Sequence, residues 1–123
     1  MSPPRSSSSR SMEDNLKKAV IEMLVMLLLT EQDMHSLQIT KTIEERSDNT
    51  LSLSFPYALL YRLIECGYIR EAYKKNAPDG RRRQYFQITE EGRNHLAELL
   101  SIYRRFSGSM DKLLKRGDET HGE

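Results

Sequence analysis

Gly80-Arg81-Arg82-Arg83-Gln84-Tyr85-Phe86-Gln87-Ile88-Thr89-Glu90-Glu91-Gly92 is the stretch that decides the fold of this chain. It holds, in order, the end of a turn, a strand and the start of a helix. Tyr85 to Ile88 has the aromatic and branched character that strands favour, which predicts a strand over Arg82 to Ile88. The Thr89 hydroxyl can accept from an otherwise unpaired amide of a following first turn, so it reads as a helix cap. Upstream, Asn76-Ala77-Pro78-Asp79-Gly80 gathers turn formers. Tyr68 to Lys75 is a second strand-like run, and the two runs with their turn predict a hairpin.

Working back towards the N-terminus, Gly67 stops a helix where a left-handed turn costs little. That helix starts after Ser54, a cap, with Pro56 in the first turn, where a missing N–H does no harm. Leu59, Leu60, Leu63 and Ile64 fall on one side of it. Ala58, Tyr61, Arg62 and Glu65 point the other way, with Tyr57 at the boundary. Leu51-Ser52-Leu53 is read as a short extended piece. Before it, Ser47-Asp48-Asn49-Thr50 ends a second helix, Ser36 to Arg46, for which Ser36 is the expected cap. The first helix is expected over Glu13 to Thr30. Leu16, Val20, Met23, Leu24, Leu27 and Leu28 share one helical face. Val25, Met26 and Leu29 widen that face until the second half is apolar nearly all round. Such a helix must be covered on several sides, in part by a second subunit.

Forward of Thr89, a long helix is expected from Glu90 to Lys115. Leu96, Leu99, Tyr103, Phe106, Met110 and Leu113 follow alternating steps of three and four, a heptad seam. A terminal helix of that length cannot fold its whole stripe back on so small a core. The expected dimer interface is therefore Leu16 and Val20 with Leu96, Leu99, Tyr103, Phe106, Met110 and Leu113. The competing reading is packing within the chain. Gly108 is a soft point in this helix.

The order is helix, helix, helix, strand, strand, helix. This predicts a mainly α fold with a small β-hairpin: a winged helix-turn-helix plus a long C-terminal dimerisation helix. Residues 1–12 are expected to form a disordered arm, 13–89 the winged domain, 90–115 the dimerisation helix and 116–123 a flexible tail. In a winged helix the third helix meets the DNA major groove, and the hairpin lies against the backbone or minor groove. Ser54 and Tyr57 begin that helix, and Tyr61 and Arg62 lie one turn on with donors long enough to reach bases or phosphates. Arg81, Arg82 and Arg83 set three cations on the wing turn, with Lys74 and Lys75 on the facing strand. If four or five of these neutralise phosphates, log K should fall against log salt with a slope of about −4 per subunit.

Charge supports the placement. The 123 residues carry a net +1. Residues 12–50 hold eight acids against four bases, net −4, whereas 62–85 hold seven bases against three acids, net +4. A nearly neutral chain with one basic block presents a polarised surface, and the block is where an anionic partner belongs. A triple Arg on a hairpin can also be a solubilising edge. The competing function is a protein-interaction module whose wing binds an acidic protein.

Other classes fare worse. His35, His95 and His121 are scattered, and no Ser/His/Asp, metal-ligand or phosphate-loop spacing is present, so neither an enzyme, a metal nor a cofactor is expected. His35 is expected to be structural. The lone Cys66 permits no intramolecular disulfide, favours a reducing compartment, and is read as a small packed side chain. Val20 to Leu29 is too short to span a bilayer, which takes about twenty residues. The Ser/Pro/Arg-rich start lacks a signal-peptide core, and a cytoplasmic location is expected.

Over residues 13–114 the sequence resembles the PadR family of bacterial transcriptional regulators. The Leu-rich first helix, His35-Ser36-Leu37-Gln38-Ile39 and Glu44-Glu45-Arg46-Ser47 are similar to the family's start. Leu51-Ser52-Leu53-Ser54 with Tyr57, then Leu60-Tyr61-Arg62-Leu63, Gly67 and Ile69, resemble its recognition-helix signature. Gly80-Arg81-Arg82-Arg83-Gln84-Tyr85-Phe86 with Ile88-Thr89-Glu90-Glu91-Gly92 is similar to its wing and following cap, the most specific of the three. Where the family usually has Leu-Tyr-Pro, this chain has Pro56-Tyr57-Ala58, so the family's base contacts there are not carried over. The single terminal helix resembles the short subgroup. The resemblance implies a homodimeric repressor on double-stranded DNA with an inverted-repeat operator. It also implies release by a small aromatic or phenolic effector. Tyr103 and Phe106 either wall a flat pocket for such a ligand or simply pack the seam.

Overall fold

The path of the chain is set by where its helices stop. In the computed structural model, which describes residues 9–52 and 57–121, the elements run α1 (Ser9–Glu31), β1 (Met34–His35), α2 (Ser36–Arg46), α3 (Tyr57–Glu65), β2 (Ile69–Asn76), β3 (Arg82–Ile88) and α4 (Glu90–His121). α2 ends in a left-handed turn, with Asp48 at φ 51° and Asn49 at φ 65°. The Asn49 amide donates to Glu44 O and the Asp48 amide to Glu45 O, satisfying carbonyls that the last turn leaves open. α3 ends the same way. Gly67 has φ +82°, its amide donates to Ile64 O, and the Tyr68 amide donates to Leu63 O.

Thr89 joins the end of α3 to the start of α4. Its hydroxyl donates to Gly67 O at 2.6 Å and accepts from the Gly92 amide at 3.0 Å, while its own amide donates to Tyr68 O. Gly92 lies where this crossing is tightest. A Cβ there would stand 2.0 Å from Tyr68 O and 2.8 Å from Ile88 Cγ1, so any side chain would collide with main chain.

The core lies between α1 and the sheet, with α2 and α3 closing its sides. Met23, Val25, Met26, Leu28 and Leu29 of α1 are buried, as the apolar second half of that helix requires. They meet Ile39 and Ile43 of α2, Leu59, Leu60 and Leu63 of α3, and Met34, Ile69, Phe86 and Ile88 of the sheet. Burying a side chain of this size favours folding by about 1.5–3 kcal/mol.

Five differences from expectation concern the elements. The sheet has three strands, ordered β1-β3-β2, because Met34 and His35 pair antiparallel with Phe86 and Tyr85. A two-residue strand carries no readable periodicity, whereas Leu51 and Ser52, read as extended, belong to no strand. α1 begins at Ser9, inside the stretch read as an arm, and α4 runs through Gly108 and Gly117 to His121 rather than stopping at Lys115. The cap of α2 is His35, not Ser36: the imidazole Nδ1 accepts from the Gln38 amide at 3.2 Å. The expected cap Ser54 and Pro56 lie outside the described residues.

Candidate nucleic-acid interface

α3 separates its residues cleanly. Leu59, Leu60 and Leu63 are buried, while Tyr57, Ala58, Tyr61, Arg62 and Glu65 are exposed. Tyr61 is 60% exposed and Tyr57 54%, so neither ring supports the core. Cys66 is exposed at the end of this helix, contrary to its reading as a packed side chain. The helix ends at Glu65, and the left-handed turn at Gly67 leads into β2, whose first residue, Ile69, is buried in the core. Ser36, in the first turn of α2, donates a long 3.5 Å hydrogen bond to the Tyr57 hydroxyl. The start of the third helix is thereby set beside the start of the second.

The wing is shaped by one carboxylate. In the Ala77–Gly80 turn the Ala77 amide donates to Arg81 O, the Gly80 amide donates to Ala77 O, and Gly80 adopts φ +86°. Asp79 accepts from the Arg81 amide at 3.0 Å with one oxygen and from the Arg83 guanidinium at 2.7 Å with the other. These two donors, Arg83 first, hold the Asp79 carboxyl below its ordinary range.

Register then divides the basic residues. Lys74 lies opposite Gln84 and Asn76 opposite Arg82 on one face; Tyr73 lies opposite Tyr85 and Lys75 opposite Arg83 on the other. Alternation along β3 puts Tyr85 on the face away from Phe86 and Ile88, and a bulge between Glu71 and Tyr73 brings Tyr73 onto that same face. On that face Arg83 is held by Asp79, its side chain only 25% exposed and its Nε without a hydrogen-bond partner among the described residues. Lys75 places its ammonium 4.8 Å from the Tyr85 ring centroid and 5.6 Å from that of Tyr73. Arg83 is therefore engaged with Asp79 in holding the turn. Lys74, Arg81, Arg82 and, on α3, Arg62 are exposed and in no ion pair among the described residues. Arg70 is occupied in a hydrogen bond to the Gln87 side chain.

The root of the wing holds groups whose cooperation the sequence did not reveal. His35 is 8% exposed and meets Tyr85 edge to face, centroids 5.3 Å apart. Tyr85 stacks on Tyr73, whose hydroxyl donates to Asp33 at 2.9 Å, and Gln87 donates to the same carboxylate at 3.3 Å. The hydrogen bond to Asp33 raises the Tyr73 phenol above its ordinary value. Burial, with the Arg83 charge second, lowers the His35 imidazole.

A second surface lies away from the wing. Along α4, Leu96 is buried at 5% in the chain's own core, and Leu99 is packed partly against it. Leu96 is thus corrected from dimer seam to core: the first turns of α4 lie on α1. From Ile102 onward the stripe has no cover. Tyr103, Phe106, Met110, Leu113 and Leu114 are exposed, as are Met12 and Leu16 of α1. Val20 is half-buried. Between the two helices, Leu16, Val20 and Met23 face Leu99, Tyr103 and Phe106 across an apolar groove of about 300 Å³. Among the described residues no three His, Cys, Asp or Glu gather to hold a metal, and no helix is long and apolar enough to cross a membrane.

Comparison with known proteins places this architecture. A family model described as the transcriptional regulator PadR-like family matches residues 25–98. A PadR-like transcriptional regulator of Bacillus cereus superposes with a TM-score of 0.72 over 89% of this chain and 99% of its own, at 21% identity. A PadR family transcription regulator of Clostridium difficile, 26% identical, gives 0.63 over 77% and 98%. An uncharacterised protein of Lysinibacillus sphaericus is 27% identical over 97 residues, 77% of this chain and 88% of that one. The matched segment runs from the buried half of α1 through α3 and the wing into the first turns of α4, and the chain belongs to the PadR-like family of transcriptional regulators.

Proposed function

We propose that the chain is a cytoplasmic repressor that binds an inverted-repeat operator in double-stranded DNA as a homodimer. α3 enters the major groove with Tyr57, Tyr61 and Arg62, and Lys74, Arg81 and Arg82 of the wing lie on flanking phosphates. The observation that carries this reading is the pairing of an exposed, donor-bearing α3 face with a wing whose turn is fixed by Asp79 while Arg81 and Arg82 project free. Phosphate contacts fix register, and the α3 side chains read the bases.

Dimerisation is supported by the uncovered stripe from Tyr103 to Leu114, which a second copy of α4 would bury. A small aromatic effector fits the groove beside Val20, Tyr103 and Phe106. By widening that groove it would change the angle between two wings and lower operator affinity, provided that it binds the DNA-free form more tightly.

The test is a mobility-shift titration on the DNA upstream of the chain's own gene at several salt concentrations. The expected result is a salt-sensitive shift with a log–log slope of about −2.7 per subunit, from three phosphate contacts. It should be lost in an Arg81→Ala, Arg82→Ala double variant. A wild-type protein that shifts no DNA overturns the reading and favours an acidic protein as the wing's partner. A DNA complex that no aromatic compound weakens removes the effector alone.

A further inference from the structure

We propose that His35 is the positioning residue that couples the wing to the third helix, and that it does so only with a neutral ring. The proposal rests on the DNA-binding reading above and adds a control built into that surface. His35 belongs to two elements at once. Its main chain pairs with Tyr85 in the sheet, and its Nδ1 caps α2 by accepting from the Gln38 amide. The next residue, Ser36, touches the Tyr57 hydroxyl at the start of α3. One side chain therefore lies in the chain of contacts from wing to recognition helix.

The cap requires a lone pair on Nδ1. A protonated imidazole has N–H at both nitrogens and cannot accept, so proton uptake sets two donors against each other at 3.2 Å. The added charge also sits at the N-terminus of α2, where the helix dipole opposes a cation. Groups on every neighbouring element bear on the same ring. Arg83 on β3 disfavours the charged form; Asp79 in the turn favours it, but is paired with Arg83 at 2.7 Å. Lys75 on β2 lies over the Tyr85 ring, and Asp33, two residues before His35, accepts from Tyr73 and Gln87. Tyr85 presents its ring edge-on to the imidazole.

The sign follows. His35 is lowered in the folded chain, so the cap is fully present above the ordinary histidine value of about 6.5 and is lost as pH falls below it through the folded value. The operator-competent arrangement of wing and α3 should weaken over the same range.

The experiment measures operator affinity of the full chain from about pH 7.5 to about pH 5.5, for wild type, His35→Asn and His95→Gln. Asparagine caps helices through its side-chain oxygen and does not titrate. Wild type and His95→Gln should bind more weakly at the acid end, by less than about tenfold, because a ring lowered from 6.5 is only partly protonated one unit below that value. His35→Asn should bind within about threefold of wild type at neutral pH and vary little below it. An affinity equally flat in wild type, or equally steep in His35→Asn, overturns the proposal while leaving DNA binding intact; no binding at neutral pH overturns the DNA reading itself. Should the variant not fold, the ring's titration by NMR in the wild-type chain decides. DNA must lower the His35 midpoint, because coupling is reciprocal; an unchanged or raised midpoint contradicts it.

Discussion

The stretch from Met23 to Leu96 and the stretch from Ile102 to Leu114 carry similar apolar patterns and meet opposite fates. In the first, Met26, Ile39, Leu60 and Leu63 are all but sealed from solvent, and even Leu96, nominally on the heptad seam, turns inward. In the second, Phe106 is 61% exposed and Leu113 65%. Periodicity states which residues seek cover without saying which chain supplies it. The division falls after the third turn of α4, beyond the sheet, where the start of α1 faces Tyr103 and Phe106 only across an open groove. A helix of 32 residues is about 48 Å long and outruns the small body it starts from.

Substitutions should break the two stretches differently. Gly92→Ala should have the largest effect, roughly 4 kcal/mol or more, because the new methyl meets the Tyr68 carbonyl rather than a side chain that can move. A urea titration measures it. Gly108→Ala is the counterpart on the free half of the same helix. Nothing lies within 4 Å of a Cβ there, so it should stabilise by about 0.5–1 kcal/mol once the helix is formed. Leu63→Ala should cost about 2–5 kcal/mol by leaving a cavity among fully buried neighbours. Phe106→Glu with Leu113→Glu should leave each subunit folded by circular dichroism, yet shift sedimentation from dimer to monomer.

Much of this was legible from residue order. The buried and exposed faces of α3, the bounds of α2 and β3, the stop at Gly67 and the Thr89 cap follow from local rules that the structure obeys. What escaped depends on partners distant in sequence. His35 caps α2 because β1 pairs with β3, a contact between residues fifty apart that no periodicity marks. Arg83 differs from Arg81 and Arg82 through strand register, which turns it towards Asp79 and the tyrosines. The collision that reserves Gly92 for glycine depends on Tyr68, across the hairpin.

That division within the wing predicts smaller effects than the core. Arg82→Ala should lower the salt slope of DNA binding by about one and leave stability nearly unchanged. Arg83→Ala should instead loosen the turn by freeing Asp79, with a slope close to wild type. The exposed Arg46–Glu31 pair, at 2.7 Å, marks the small end of the scale: Arg46→Ala should leave the urea midpoint nearly unchanged, the more so in high salt.

Footprinting on the upstream DNA tests the two surfaces together. If the α3 face reads bases and the uncovered seam of α4 joins two copies, protection should appear as two inverted half-sites about 10 base pairs apart, or a multiple of that turn. Phe106→Glu with Leu113→Glu should weaken both half-sites together. A single protected half-site, or paired protection that survives loss of the seam, would contradict the account.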